Sequence, residues 1–135
     1  MKFILLLIMK LKNIAFVFSA AFALTACNTV KIDELQPTAN PQVISSAKEA
    51  LSGCGDTRVT DNGVIYILKK LPGGHRWLTQ HVVEGSYRIS CQNMREFVDA
   101  GMIVRVSYRG KGGTTQDYDK ARCETEIPTD IYKNW

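Results

Sequence analysis

Apolar and polar positions first follow a helical period over residues 41–52. One side of this helix carries the apolar residues Val43, Ile44, Ala47 and Leu51. Asn40 is a favourable N-cap, Pro41 suits the first helical position, and Gly53 is a natural stop. The pattern therefore predicts an amphipathic helix that packs on a sheet.

Further along, apolar residues alternate with a period of two, which is typical of strands. The turn signal DNG at 61–63 predicts a hairpin between residues 58–60 and a strand over 64–68. That strand is apolar on both faces, which indicates a central position. Residues 102–109 alternate cleanly and predict another strand, and residues 114–123 are polar enough for an edge strand.

The stretch between these strands has two interpretations. Residues 76–83 and 86–91 flank a Glu-Gly pair and are interpreted as a second hairpin. A helix through 76–94 is the alternative, but two β-branched valines and a glycine count against it. Residues 92–100 predict one or two helical turns that end at Gly101.

These elements together predict an α+β fold. An N-terminal helix packs on a small antiparallel sheet, or on a partly closed barrel, of five to six strands. The run YRISCQNMREFVDAGMIVRVSYRG over 87–110 resembles small OB- or SH3-like barrels. In those barrels a short excursion that ends in glycine leads into an alternating strand.

The N-terminal residues carry apolar runs of their own. Two lysines precede an apolar run over 14–24, whose length suits the core of a signal peptide and is too short for a transmembrane helix. The run over 1–8 either belongs to a long signal or precedes a true start at Met9. We favour Met9, because residues 9–26 have the proportions of a signal peptide.

This apolar run ends at Leu24-Thr25-Ala26-Cys27, which resembles the lipobox of bacterial lipoproteins. The resemblance implies that the Cys27 thiol takes a diacylglyceryl group, that the chain is cut before Cys27, and that the new amine is acylated. The alternative is an ordinary cysteine after a conventional signal. In enterobacterial-type lipoproteins Asp after the lipidated cysteine favours the inner membrane, so Asn28 implies the outer membrane of a Gram-negative bacterium.

The expected organisation follows from these boundaries. Residues 1–26 form the signal peptide, and residues 27–41 form the lipidated cysteine and a polar, proline-containing tether. An ordered N-terminal arm is the alternative to the tether. Residues 42–135 form one small globular domain.

The net charge falls once the predicted signal peptide is removed. The whole chain has 17 basic and 13 acidic residues, a net charge of +4. Three of the lysines lie in the predicted signal and every acidic residue lies after it, so the mature chain has 14 basic and 13 acidic residues and a net charge of +1. This balance gives no argument for a nucleic-acid partner.

Three cysteines follow the predicted lipidation site, so at most one internal disulfide forms. We predict a bridge between Cys91 and Cys123, because both lie at the ends of predicted strands. Pairing of Cys54 with either of them stays open. The remaining thiol is expected to be buried rather than bonded to another chain.

The sequence predicts no catalytic constellation, no cofactor and no metal site. His75 and His81 are the only histidines, and a zinc site needs further ligands. Cys91 near His81 has the residue types of a Cys–His nucleophile pair, but a half-cystine in a strand is the better interpretation. We therefore expect a protein that is not an enzyme.

One candidate binding surface is basic. Five residues are expected to share a face of the last hairpin, where they would bind an anionic glycan, a lipid headgroup or an acidic partner: Arg105, Arg109, Lys111, Lys120 and Arg122. A solvated edge is the other interpretation of these charges.

The order of features resembles the small α/β pilotin lipoproteins of type II secretion systems, which carry the secretin to the outer membrane. The shared features are a lipidated cysteine, a tether, a helix, a hairpin and two late cysteines. The middle region of that family is helical where the pattern here favours strands, and Cys54 is extra. The resemblance implies a non-catalytic binding or assembly module with an envelope protein partner. The alternative is a small periplasmic or surface module that binds a glycan or inhibits a hydrolase.

Overall fold

The computed structural model describes residues 29–126. The predicted signal peptide, Cys27 and residues 127–135 lie outside the described residues. The described chain has an α+β fold, which confirms the predicted class. None of its helices is both long enough and apolar enough to cross a membrane.

Within residues 29–126, four strands form one sheet in the order β1-β2-β3-β4. They are β1 (Thr57–Val59), β2 (Val64–Lys70), β3 (Ile103–Arg109) and β4 (Thr115–Tyr118). The pairs β1–β2 and β3–β4 are antiparallel, whereas β2 and β3 are parallel. The sheet is therefore mixed and open, in contrast to the predicted antiparallel sheet or partly closed barrel of five to six strands.

The first predicted helix is confirmed as α1 (Pro41–Ala50). The side chain of Asn40 caps it by accepting a hydrogen bond from the Val43 N–H at 2.9 Å. The predicted hairpin turn is also present, with Gly63 at φ 100° between β1 and β2. Local sequence signals therefore specified this part of the chain.

The predicted hairpin over 76–83 and 86–91 is wrong, because this region is helical. It contains α2 (Thr79–Tyr87), a π-helical turn (Arg88–Asn93) and α3 (Arg95–Asp99). Two parallel strands need a long crossover connection, and these helices supply it between β2 and β3.

Gly85 has a packing role in this crossover. A Cβ atom at position 85 would lie 2.9 Å from the hydroxyl oxygen of Tyr108, so glycine lets that phenol approach the helix. Neighbouring Val82 is 1% exposed and joins the core. Tertiary packing therefore outweighs the weak helix propensity of both residues.

The end of the described chain is a strand followed by a short helix. β4 ends at Tyr118, and α4 (Lys120–Thr125) begins after Asp119, whose carboxylate accepts a hydrogen bond from the Arg122 N–H at 2.8 Å. The predicted edge strand over 114–123 is therefore correct only in its first half.

The core lies between the helices and one face of the sheet, and the predicted disulfide forms part of it. Cys91 in the π-helical turn and Cys123 in α4 are bonded, with an S–S distance of 2.02 Å and a Cα–Cα distance of 5.3 Å. The bridge joins the crossover to the last described helix. Cys54 carries a free, exposed thiol, so the expectation of a buried third cysteine is wrong.

Residues 29–40, here called the N-terminal arm, lie against the domain. The Thr38 and Ala39 N–H groups donate to the Gly101 carbonyl at 2.9 and 3.1 Å. The Asn62 side chain donates to the Ile32 carbonyl, and Arg105 donates to the Val30 carbonyl. The alternative of an ordered arm therefore describes these residues better than a free tether.

Candidate functional site

The two faces of the sheet differ in what covers them. On one face, core positions of β2, β3 and β4 pack beneath the helices, as the full burial of Ile65, Val104 and Tyr118 indicates. The opposite face, here called the open face, is mostly polar and partly exposed, although Val64 at one end of it is buried. It is formed by Arg58, Tyr66, Leu68, Lys70, Arg105, Ser107, Arg109, Thr115 and Asp117.

The centre of the open face is an ion pair between neighbouring strands. Arg105 Nε lies 2.6 Å from Asp117 Oδ1, and Arg105 Nη2 lies 2.8 Å from Asp117 Oδ2. The hydrogen bond to Asp117 raises the pKa of Arg105 further above its usual value. Arg105 is only 5% exposed, and its Nη2 also donates to the Val30 carbonyl. This guanidinium therefore has a structural role, because its hydrogen bonds go to Asp117 and to the Val30 carbonyl.

Beside this pair, a shallow groove of about 620 Å³ runs along β1 and β2. Its lining includes Asp56, Arg58, Tyr66, Leu68 and Lys70. The Arg58 Cζ atom lies 5.2 Å from the centroid of the Tyr66 ring, within cation–π range. A flat aromatic ring beside two exposed cations suits an anionic ligand that also has an apolar or sugar surface.

The five basic residues predicted to share one face are separated by the sheet. Arg105 and Arg109 lie on the open face, whereas Arg122 lies over the core-facing ring of Tyr118, with its Cζ 3.9 Å from the ring centroid. Lys111 is exposed in the β3–β4 turn, and Lys120 lies in α4.

Arg122 is held by several acceptors. Its Nε donates to Glu126 Oε2 at 2.8 Å, its Nη1 to the Asp117 carbonyl at 2.7 Å, and its Nη2 to Gln116 Oε1 at 2.9 Å. Arg105 and Arg122 therefore hold the β4 edge together from opposite faces. Of the five, Arg109 is the exposed cation that remains on the open face.

The candidate metal ligands and nucleophiles of the described residues are dispersed or bonded. No group of three or more His, Cys, Asp or Glu residues between 29 and 126 has the geometry to hold a metal ion. His75 and His81 are both exposed, and the Cys91 sulfur is bonded to Cys123.

Several residues of the open face were not identified from the sequence. Tyr66 lies in a strand whose pattern indicates apolar residues on both faces, and Asp117 lies in a stretch whose pattern indicates a solvated edge. The register of β1 against β2 places Arg58 opposite Tyr66, and the register of β3 against β4 places Arg105 opposite Asp117. A single sequence carries no direct signal for such cross-strand pairs.

Comparison with known proteins finds no matching family model, no similar curated protein and no similar solved structure.

Proposed function

We propose that this chain is a lipid-anchored lipoprotein of a Gram-negative outer membrane. Its domain is proposed to act as a non-catalytic binding and assembly module of the cell envelope. The observation that carries this proposal is Leu24-Thr25-Ala26-Cys27 at the end of an apolar run of signal-peptide length. Asn28 after the cysteine supports the outer rather than the inner membrane.

The anchor has enough apolar surface to be stable. Each buried methylene of an acyl chain contributes about 0.8 kcal/mol, and one chain alone gives only reversible binding. Lipoproteins with the kind of lipobox that residues 24–27 resemble carry three acyl chains. The domain is then held at the membrane for the lifetime of the protein.

The disulfide supports an extracytoplasmic location. Bridges such as Cys91–Cys123 persist in the periplasm and at cell surfaces, whereas cytosolic thiols are kept reduced. The predicted signal peptide and the disulfide are independent grounds for this location. Both agree with a periplasmic or surface-exposed domain.

The pilotin-like assembly role has support from the crossover. The pilotin resemblance implied a helical middle region, and α2 (Thr79–Tyr87) lies there. The late cysteine pair is also bonded. The proposed partner is a multimeric protein of the envelope, and the proposed activity needs no cofactor, metal or nucleic acid.

Intact mass tests the anchor. Protein purified from the membrane fraction of the native host is expected to begin at Cys27 and to carry the mass of a diacylglyceryl group and a further acyl chain. The Cys27→Ser variant is expected to lose this mass and to leave the membrane fraction. An unmodified N-terminus in the wild-type protein would overturn the proposal.

Gene deletion tests the assembly role. Loss of the protein is expected to mislocalise one multimeric outer-membrane protein, and the wild-type gene should restore it. Correct localisation of every such protein in the deletion strain would exclude a pilotin-like role, while leaving the anchor unaffected.

A second candidate function is binding of an anionic glycan or inhibition of a hydrolase. The groove favours it, because the half-buried ring of Tyr66 beside Arg58 and Lys70 suits a charged sugar. The mature protein is then expected to bind a defined glycan or lysozyme, and Tyr66→Ala should reduce the affinity at least tenfold. Leu78→Ala, at a 56% exposed position outside the open face, is the control. No binding to any glycan or lysozyme would exclude this candidate.

A further inference from the structure

We propose that the open face lies against the membrane that holds the Cys27 lipid, where Arg58, Lys70 and Arg109 contact anionic lipid headgroups. This inference rests on the proposed lipidation and adds an orientation to it. It concerns the same face as the glycan candidate, and lysine reactivity on vesicles separates the two.

The N-terminal end of the described chain is bonded to the open face. The Val30 carbonyl accepts a hydrogen bond from Arg105, which lies in the middle of the central strand β3. Cys27 precedes Val30 by three residues, so a fully extended chain separates them by about 10 Å at most. A lipid anchor at Cys27 would therefore keep the middle of the open face within a short chain length of the membrane.

The N-terminal arm is not a free linker. Two hydrogen bonds from Thr38 and Ala39 to Gly101, and one from Asn62 to Ile32, hold it along its length. A flexible linker over 27–41 would have an average end-to-end distance of about 20 Å and would let the domain turn freely. The docked arm removes most of that freedom and keeps one face near the anchor.

Charge pairing differs between the helical segments and the open face. In the helical segments, Arg88 lies 3.3 Å from Glu84, and Arg95 lies 2.8 Å from Asp99. Lys120 and Arg122 likewise lie within 4.0 Å of a glutamate four residues on.

On the open face, three exposed cations have no carboxylate within 4.0 Å among the described residues: Arg58, Lys70 and Arg109. The charge of Asp117 is already matched by Arg105, and Asp56 is the remaining acid beside the groove. This face therefore carries net positive charge that its own side chains do not neutralise.

The anionic surface that fits this arrangement is the bilayer itself. Each basic side chain near an anionic membrane strengthens the association about fivefold, and the effect fades within a Debye length. Because the anchor keeps the open face within that range, the three cations act at high effective concentration. An acidic protein partner would have to displace the headgroups from this position.

Lysine reactivity measures the orientation on the intact lipidated protein. The protein is reconstituted into vesicles of phosphatidylcholine alone or of phosphatidylcholine with phosphatidylglycerol, and flotation first establishes that it is anchored. Acetylation is then followed by mass spectrometry at Lys70 on the open face, with Lys48 in α1 and Lys120 in α4 as internal controls.

We expect Lys70 to react about fivefold more slowly in the anionic vesicles, while the two control lysines change little. This protection should disappear in about 1 M salt, where the Debye length is about 3 Å. Equal protection in both lipid compositions would overturn headgroup recognition. Equal reactivity of all three lysines in anionic vesicles would overturn the orientation.

A variant pair tests the role of charge. Arg58→Gln with Arg109→Gln should abolish most of the Lys70 protection, because two of the three contacts are lost. Arg88→Gln with Arg95→Gln removes the same charge from the helix side and should leave the protection intact. The opposite ranking would overturn the proposal. Failure of the wild-type protein to float would overturn the anchor itself, whereas flotation without protection overturns only the orientation.

Discussion

At the scale of single residues, Arg105 connects two distant parts of the chain, and no local sequence pattern predicts this role. One guanidinium bonds β4 through Asp117 and the N-terminal arm through the Val30 carbonyl. Removing one partner of a buried ion pair is costly, because the other charge stays buried without compensation. Arg105 therefore couples the β4 edge to the arm.

Asp117→Asn tests this coupling. The neutral amide keeps the size of the side chain but leaves Arg105 without its counter-charge. We expect a loss of about 2 kcal/mol in the free energy of unfolding, measured with urea. Asp117 is 30% exposed, which places the effect below that of a fully buried pair.

The matched control is Asp61→Asn, which removes the carboxylate of the surface pair with Lys48. The Asp61 side chain is 98% exposed, so no resolvable change in stability is expected. Similar losses in the two variants would show that Arg105 does not depend on Asp117.

Residue-scale features were predictable where the signal is local. The Asn40 cap and the turn at Gly63 depend on neighbours in the sequence, and both are present. The pairing of Arg105 with Asp117 depends on which residues face each other across two strands. A shift of one residue in that register would place Asp117 on the core face, so composition and spacing alone cannot specify the pair.

At the scale of elements, the crossover shows where local preference misleads. Val82 and Gly85 lower helix propensity, and alternation over residues 86–91 resembles a strand. In the fold, Val82 contributes to the core and Gly85 admits the Tyr108 hydroxyl. The clean alternation of β3 was sufficient to predict that strand. Its parallel pairing with β2 could not be predicted from the sequence of either strand.

The disulfide is the covalent link between elements, and its removal should destabilise the domain. The bond closes a loop over 32 positions of sequence, which corresponds to about 3–4 kcal/mol in the chain-entropy model. The double variant Cys91→Ala with Cys123→Ala should lose stability of that order in urea unfolding. Cys54→Ala, at an exposed free thiol, should retain wild-type stability. A larger loss in the Cys54 variant would contradict the assigned pairing.

The docked arm predicts a difference between two glycines with positive φ. Gly101 and Gly110 have φ values of 100° and 114°, so alanine is strained at both. A Cβ at Gly101 would also lie 2.6 Å from Thr38 Oγ1 and 2.7 Å from the Ala39 nitrogen, whereas no atom lies within 4 Å at Gly110.

Gly101→Ala should therefore destabilise the protein by about 2 kcal/mol more than Gly110→Ala, since two hydrogen bonds to the arm are disturbed. Urea unfolding gives the difference, and amide exchange at Thr38 and Ala39 should accelerate only in the Gly101 variant. Equal behaviour of the two variants would mean that the arm contributes nothing to stability.

At the scale of the whole molecule, helices cover one face of a four-stranded sheet and the other face stays polar. Tyr108 and Tyr118 lie in the covered half, at 6% and 0% exposure. Burial raises the pKa of both phenols above the usual value of about 10. The neutral phenol is therefore the form that the folded core accepts.

This burial predicts an alkaline limit of stability. The unfolded phenols ionise near pH 10 while the folded ones stay protonated, so the stabilisation is complete below pH 10 and falls as the pH rises above it. Each tyrosine contributes a slope of at most about 1.4 kcal/mol per pH unit. Urea unfolding between pH 8 and pH 11 measures it, and Tyr118→Phe should make the decline less steep. A flat profile would mean that the phenols are not buried in solution.

The attachment of the arm to the central strand also decides how the molecule responds to mechanical force. A pull on the N-terminus first loads the bond between Val30 and Arg105, and then the bonds between the arm and Gly101. These contacts yield before any strand is drawn from the sheet, and their release frees at most about 35 Å of chain. The arm therefore extends under load, while the domain that contains the disulfide stays folded.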